Sequence, residues 1–171
     1  MTASSSLGFT ADRTMRSAQN LYEAGLITYL RTDGINISTS PNTGEPFSEE
    51  NPGPPPLEEI RNVISEKFGK KFLSDDVRVY KSKVKNSQEA HEAIRPTNIK
   101  TYPEKINLGQ DEQKLYTLIW NRTVASQMSN SEHERKKIVV HSENDKFILN
   151  ASSRKTIFEG FETLSKKDSS E

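Results

Sequence analysis

The chain has 171 residues, enough for one domain or for one domain and part of a second. Hydrophobic residues make up only 32% against 28% charged, so the core is thin, and 24 basic residues offset 24 acidic ones, removing any global pull toward nucleic acid or membrane. The absence of cysteine excludes disulfides, thiolate metal sites and a cysteine nucleophile, and three histidines (His91, His133, His141) argue against a zinc centre.

No apolar run reaches transmembrane length and no basic leader precedes an apolar core, so a membrane partner is not expected. The polar ends, Met1–Ser6 and Asp168–Glu171, read as the edges of an excised piece.

Thr10 is placed to cap a helix from about Ala11 to Ala24, with Met15, Ala18, Leu21 and Tyr22 at helical spacing. Gly25 stands where a left-handed residue closes a helix. The chain then passes directly into Leu26-Ile27-Thr28-Tyr29-Leu30-Arg31-Thr32-Asp33, which alternates like a strand. In an extended chain Tyr29, Arg31 and Asp33 share one face. A phenol is a possible nucleophile, and a guanidinium is the group best shaped to grip a phosphate. On local chemistry alone an amphipathic edge strand with an Arg–Asp surface pair is the better reading.

Six of the eight prolines fall between Ser38 and Pro56, with Gly44 and Gly53. Proline fixes φ and removes donors, so this stretch reads as an exposed loop with polyproline character. Helical period returns at Leu57, Ile60, Val63, Ile64 and Phe68, and Gly69 follows. Lys70, Lys71, Arg78, Lys81, Lys83 and Lys85 then form a basic stretch with Phe72 and Tyr80 nearby, suited either to lining a phosphate-binding surface or to solvating a linker.

Asn86 with Glu89 has the form of a capping box, and Pro96 closes that segment. A short helix there puts His91 and Arg95 one turn apart on one face. His91 has no second histidine at zinc-binding offset, so a hydrogen-bonding role is the simpler reading. The longest helix is predicted over Gln110–Met128, with Leu115, Leu118, Ile119, Val124, Ala125 and Met128 apolar and Trp120 in the core. Strands follow at Ile138–Val140 and Lys146–Asn150 around a Ser142–Asp145 turn, and a third extended piece is predicted over Thr156–Leu164.

Two segments together carry a resemblance: Gly25–Asp33, and Asn86-Ser87-Gln88-Glu89-Ala90-His91-Glu92-Ala93-Ile94-Arg95-Pro96-Thr97. In this order, with a helix before the first, they resemble the type IA DNA topoisomerases. Leu30 between Tyr29 and Arg31, and Glu92-Ala93 after His91, resemble the bacterial topoisomerase I branch rather than topoisomerase III. The resemblance runs from about Leu7 to Phe161. It departs from the family at Gly34, where many members carry Ser, and in the Ser38–Pro56 insertion. Nothing matches the acidic Asp-x-Asp-x-Glu motif of the TOPRIM domain.

The resemblance implies an α+β, mainly α fold. A winged-helix (CAP-like) tyrosine domain over 1–135, with the proline-rich loop 38–56, leads into an incomplete β-rich arch domain over 136–171. It implies that Tyr29 attacks a single-stranded DNA phosphodiester to give a 5′-phosphotyrosyl link and a 3′-hydroxyl, resealed without ATP. Strand passage through that break relaxes negative supercoils. Arg31 would favour the phenolate and offset phosphoryl charge, and His91 would hold a DNA phosphate near the scissile bond. Thr28 and Asp33 would orient the tyrosine strand; Glu89, Glu92 and Arg95 would order the His91 segment. DNA contacts are expected through Lys81, Lys83 and Lys85 as well. Mg²⁺ is expected in the full-length enzyme, its ligands lying in the TOPRIM domain rather than here, and no cofactor is expected on this chain. The expected partners are single-stranded DNA and the rest of the same polypeptide, in bacterial cytoplasm by default with an organelle left open. The competing readings are a non-catalytic winged-helix nucleic-acid-binding module that keeps the tyrosine by descent, and a proline-rich scaffold resting on Ser38–Pro56.

Overall fold

A computed structural model describes residues 2–30, 34, 37, 55–80, 92–142 and 147–165. Four helices come first in it: α1 (Thr2–Leu7), α2 (Ala11–Glu23), α3 (Pro56–Lys67) and α4 (Gln110–Ala125). Two antiparallel strands follow, β1 (Glu132–His141) and β2 (Ile148–Phe158). Short 3₁₀ turns occupy Lys70–Phe72, Pro103–Lys105 and Gly160–Leu164. The described residues are therefore mostly helical, with one small two-stranded sheet.

Each long helix begins and ends on a local signal. The Thr10 hydroxyl accepts the Arg13 amide at the start of α2. At its end the Gly25 amide donates to Tyr22 O (2.8 Å) and the Leu26 amide to Leu21 O (2.9 Å), the paired closure of a Schellman motif, with Gly25 at φ 70°. Pro56 opens α3 at a position where its missing N–H costs nothing, and Glu58 and Glu59 complement the helix dipole there. Helix α4 is the longest of the described helices and begins with Asp111 and Glu112 in its first turn.

These helices share one core. Ala18 and Leu21 of α2, Ile60, Val63 and Ile64 of α3, and Leu115, Tyr116, Trp120 and Val124 of α4 meet with Ile27, Ile99 and Met128 from the connections. Trp120 is buried as the sequence predicts, and its indole donates to Ile99 O at 2.9 Å. Gln127, fully buried just past α4, acts as a surrogate strand. Its side chain donates to Arg78 O (2.9 Å) and accepts from Arg78 N (3.2 Å). Together with the Leu73–Met128 bridge this fixes residues 73–78 against the helical body.

Several expectations change. Met15 and Tyr22 are exposed rather than core, because the buried face of α2 is Ser17, Ala18 and Leu21. Residues 92–95 are not helical: Pro96 bridges Ile27 in antiparallel sense, and a residue before proline is pushed away from helical backbone. The strand predicted from Ile27 is, over the described residues, that single bridge. The strands are longer than predicted, and Thr156–Leu164 is no third strand. Thr156–Phe158 finishes β2, and Gly160 at φ 49° turns the chain into the 3₁₀ segment. A Cβ at Gly160 would come within 2.6 Å of Asn130 and Ser129 backbone atoms, so only glycine fits that approach. The proline-rich stretch 38–54 and the turn residues 143–146 lie outside the described residues, as does the capping box Asn86–Glu89.

The hairpin runs in register from Val140 opposite Leu149 down to a bulge at the Glu132/His133 step. Its root is held by the Phe161 amide on Ser129 O and the Phe158 ring 5.0 Å from Phe72. Beyond the root both faces are solvent-exposed, Ile138, Val140, Leu149 and Ile157 among them.

Candidate active site around Tyr29

The turn at Gly25 sends the chain back past the end of α2 and against residues 93–97. Two backbone hydrogen bonds flank the Ile27–Pro96 bridge: Thr28 N to Arg95 O (2.9 Å) and Thr97 N to Leu26 O (3.1 Å). Side chains reinforce both. The Thr28 hydroxyl donates to Ala93 O and accepts from Arg95 N, each at 3.0 Å, while the Thr97 hydroxyl donates to Gly25 O at 2.6 Å. Ile27 is buried in the core, and Leu26 and Leu30 pack against that core, so the ribbon is held from both sides.

The partner segment is itself locked by a nearly buried cation. Arg95 is 5% exposed; its Nε and Nη2 donate to the two Glu92 oxygens at 2.8 and 3.1 Å, and its Nη1 donates to Pro96 O at 2.8 Å. A guanidinium with its fork on a carboxylate and a third donor on the carbonyl of the next residue is structural, not available to a ligand. Glu92 and Arg95 thus order the segment that supports Thr28.

Tyr29 leaves this ribbon into solvent, with 62% of its surface exposed. The ring of Tyr22, from the last turn of α2, stands against it edge-on, centroids 5.5 Å apart and planes at 65°. Tyr116 contrasts with it. That phenol is buried, donates to Thr101 O at 2.8 Å, and burial pushes its pKa up to about 12, so it stays protonated. Among the other sequence-predicted residues, Arg31, Asp33, Glu89, His91, Lys81, Lys83 and Lys85 lie outside the described residues. Among the described residues no three His, Asp or Glu side chains gather as a cation site.

The profile of the DNA topoisomerase family matches residues 1–171, the whole chain. The chain belongs to the bacterial type IA DNA topoisomerase family. It is 43% identical over 169 residues to the DNA topoisomerase 1 of Rickettsia bellii (strain RML369-C), covering 93% of this chain and 19% of that protein. The DNA topoisomerase 1 of Helicobacter pylori (strain ATCC 700392 / 26695) is likewise 43% identical, over 93% of this chain and 21% of its own length. The solved full-length topoisomerase I of Thermotoga maritima superposes with a TM-score of 0.72 at 34% identity, over 98% of this chain and 25% of that one. The chain therefore spans about a fifth of the length of the curated topoisomerases it matches, and is part of a larger polypeptide.

Sequence reasoning misses two residues of this candidate site. Thr97 ties the ribbon to Gly25, and nothing in its immediate neighbours signals a partner 72 residues away. The helical spacing places Tyr22 on the core stripe of α2. Its real partner is set by the chain reversal at Gly25, the one signal that could have placed it.

Proposed function

We propose that Tyr29 is the nucleophile of a type IA DNA topoisomerase, and that this chain is the tyrosine-bearing part of it. The observation that carries the reading is an exposed phenol on a ribbon whose backbone is pinned through Thr28. Reactivity needs both features: access for DNA, and a fixed approach to phosphorus. In the proposed step the phenolic oxygen bonds to phosphorus of a single strand and the bond to O3′ breaks. The 5′-phosphate stays on the protein, and the phenolic proton is matched by the one taken up by the departing 3′-oxygen. Resealing reverses this and needs no ATP, because one phosphoester replaces another. Passing a strand through the transient break before resealing relaxes negative supercoils.

A free phenol titrates near 10, so a cation beside it favours the phenolate and offsets charge on the phosphoryl oxygens. Arg31, two residues along, is proposed for this, with His91 on a DNA phosphate and Asp33 and Glu89 in support. Lys81, Lys83 and Lys85 are proposed to follow the DNA backbone. Mg²⁺ is proposed for the full-length enzyme, held by the remainder of the polypeptide, and no step is routed through it here. The helical part (1–135) is read as the winged-helix-type tyrosine domain and 136–171 as the start of the arch; the solvent-exposed apolar faces of the hairpin support that division. Bacterial relatives support a setting in bacterial cytoplasm.

The test is Tyr29→Phe in the full-length enzyme. Covalent adduct with a single-stranded oligonucleotide and relaxation of supercoiled DNA should vanish, while non-covalent DNA binding stays near wild type. Persistence of the adduct overturns the assignment and leaves the non-catalytic binding module as the better reading.

A further inference from the structure

We propose that Tyr22 is a positioning residue that holds the Tyr29 phenol in line for attack; the inference rests on Tyr29 being the nucleophile. Tyr22 has the spacing of a core residue on α2, yet 39% of its surface is exposed and its ring is spent on another exposed ring. The core has no need of it: Ser17, Ala18 and Leu21 already fill the buried face.

The six residues between the two rings are fixed at each point where they could drift. The Tyr22 carbonyl accepts the Gly25 amide, Gly25 takes the left-handed backbone, the Leu26 amide returns to Leu21, and Ile27 is buried. Thr28 is pinned on both its amide and its hydroxyl. With the backbone held up to Thr28, the orientation of the Tyr29 side chain is what the Tyr22 ring can set. The edge-on contact at 5.5 Å and 65° is a preferred aromatic arrangement, and it selects one side-chain orientation while leaving most of Tyr29 exposed. One structural element, the closed end of α2, thus sets both the path of the ribbon and the aim of its phenol. The Tyr22 hydroxyl has no part in this, since the ring edge and face supply the contact.

The experiment compares Tyr22→Leu, Tyr22→Phe and Tyr29→Phe in the full-length enzyme. It measures single-turnover cleavage of a single-stranded oligonucleotide at saturating concentration, non-covalent DNA affinity and thermal stability. Tyr22→Leu should slow cleavage by about 3- to 10-fold, the size of one aromatic pair, with affinity unchanged. Tyr22→Phe should restore the rate to within about twofold because the ring contact is kept. Wild-type cleavage by Tyr22→Leu overturns the proposal. So does a Tyr22→Phe enzyme as slow as Tyr22→Leu, which would assign the effect to the hydroxyl, and so does an equal loss of affinity and stability, which would make Tyr22 merely structural. Failure of the underlying reading shows separately, as an adduct that survives Tyr29→Phe.

Discussion

Thr28 and Arg95 hold each other by two hydrogen bonds, the Thr28 amide on the Arg95 carbonyl and the Arg95 amide on the Thr28 hydroxyl, and that same hydroxyl donates to the Ala93 carbonyl. A single small side chain therefore satisfies two backbone groups of a segment 65 residues away, immediately before the proposed nucleophile.

Thr28→Val keeps the shape and removes the hydroxyl, leaving the Arg95 amide and the Ala93 carbonyl without partners. The expected cost is about 1–3 kcal/mol of stability, the penalty for a desolvated polar group. Thr28→Ser should recover most of it. Urea denaturation of the chain measures both. In the full-length enzyme Thr28→Val should also slow cleavage, since the residue before Tyr29 loses its anchor.

Arg95→Lys tests whether the planar fork matters. Lysine keeps the charge but cannot place parallel donors on both Glu92 oxygens while also reaching Pro96 O. A loss of about 2 kcal/mol is expected, in the range for hydrogen bonds to charged groups. Arg95 being 5% exposed, that loss should change little with added salt, unlike that of a surface pair. Denaturation at low and high ionic strength decides it.

Much of this arrangement was legible in the sequence where the signal is local. Thr10 and Gly25 mark both ends of α2, the Leu57–Phe68 stripe marks α3, and Trp120 falls in the core as the pattern of α4 requires. What was illegible depends on distant pairing. Residues 92–95 have helix-forming composition, but the ribbon at Thr28 recruits their carbonyls and amides, and Pro96 removes the helical alternative. The strands were underpredicted because both faces of the hairpin meet solvent, so Glu132–Lys137 and Ser152–Lys155 carry no apolar alternation to read. Tyr29 stands out in the sequence through its immediate neighbours, whereas its ring partner comes from the helix before it.

Gly25→Ala isolates the conformational requirement at the turn. A Cβ there meets nothing within 4 Å, so the cost is that of φ 70° for an L side chain, about 1–2 kcal/mol. Asn, which tolerates left-handed backbone, should cost less than Ala. Thermal melts of the two variants give the order. If Ala and Asn are equally tolerated, the turn is not held by backbone strain.

The hairpin root should loosen in acid. The Glu162 carboxylate accepts from Ser131 Oγ at 3.0 Å and lies 3.2 Å from His133 Nε2 and 3.3 Å from Arg154 Nη2, so it ties the residue before β1, β1 itself and β2 to the 3₁₀ turn. The Ser131 hydrogen bond, then the His133 contact and the Arg154 charge, hold its pKa below the ordinary value of 4.5. A carboxylate whose folded pKa is depressed contributes its stabilisation above the unfolded value and loses it as pH falls through the folded one. Amide exchange at Phe161 and across the His133–Thr156 pair should therefore stay slow at neutral pH and accelerate, after correction for intrinsic rates, once pH drops well below 4.5. Glu162→Gln should remove that acid-dependent step while leaving the α2–α4 core as protected as before. An acid transition of the root that survives the substitution would place its cause in another carboxylate.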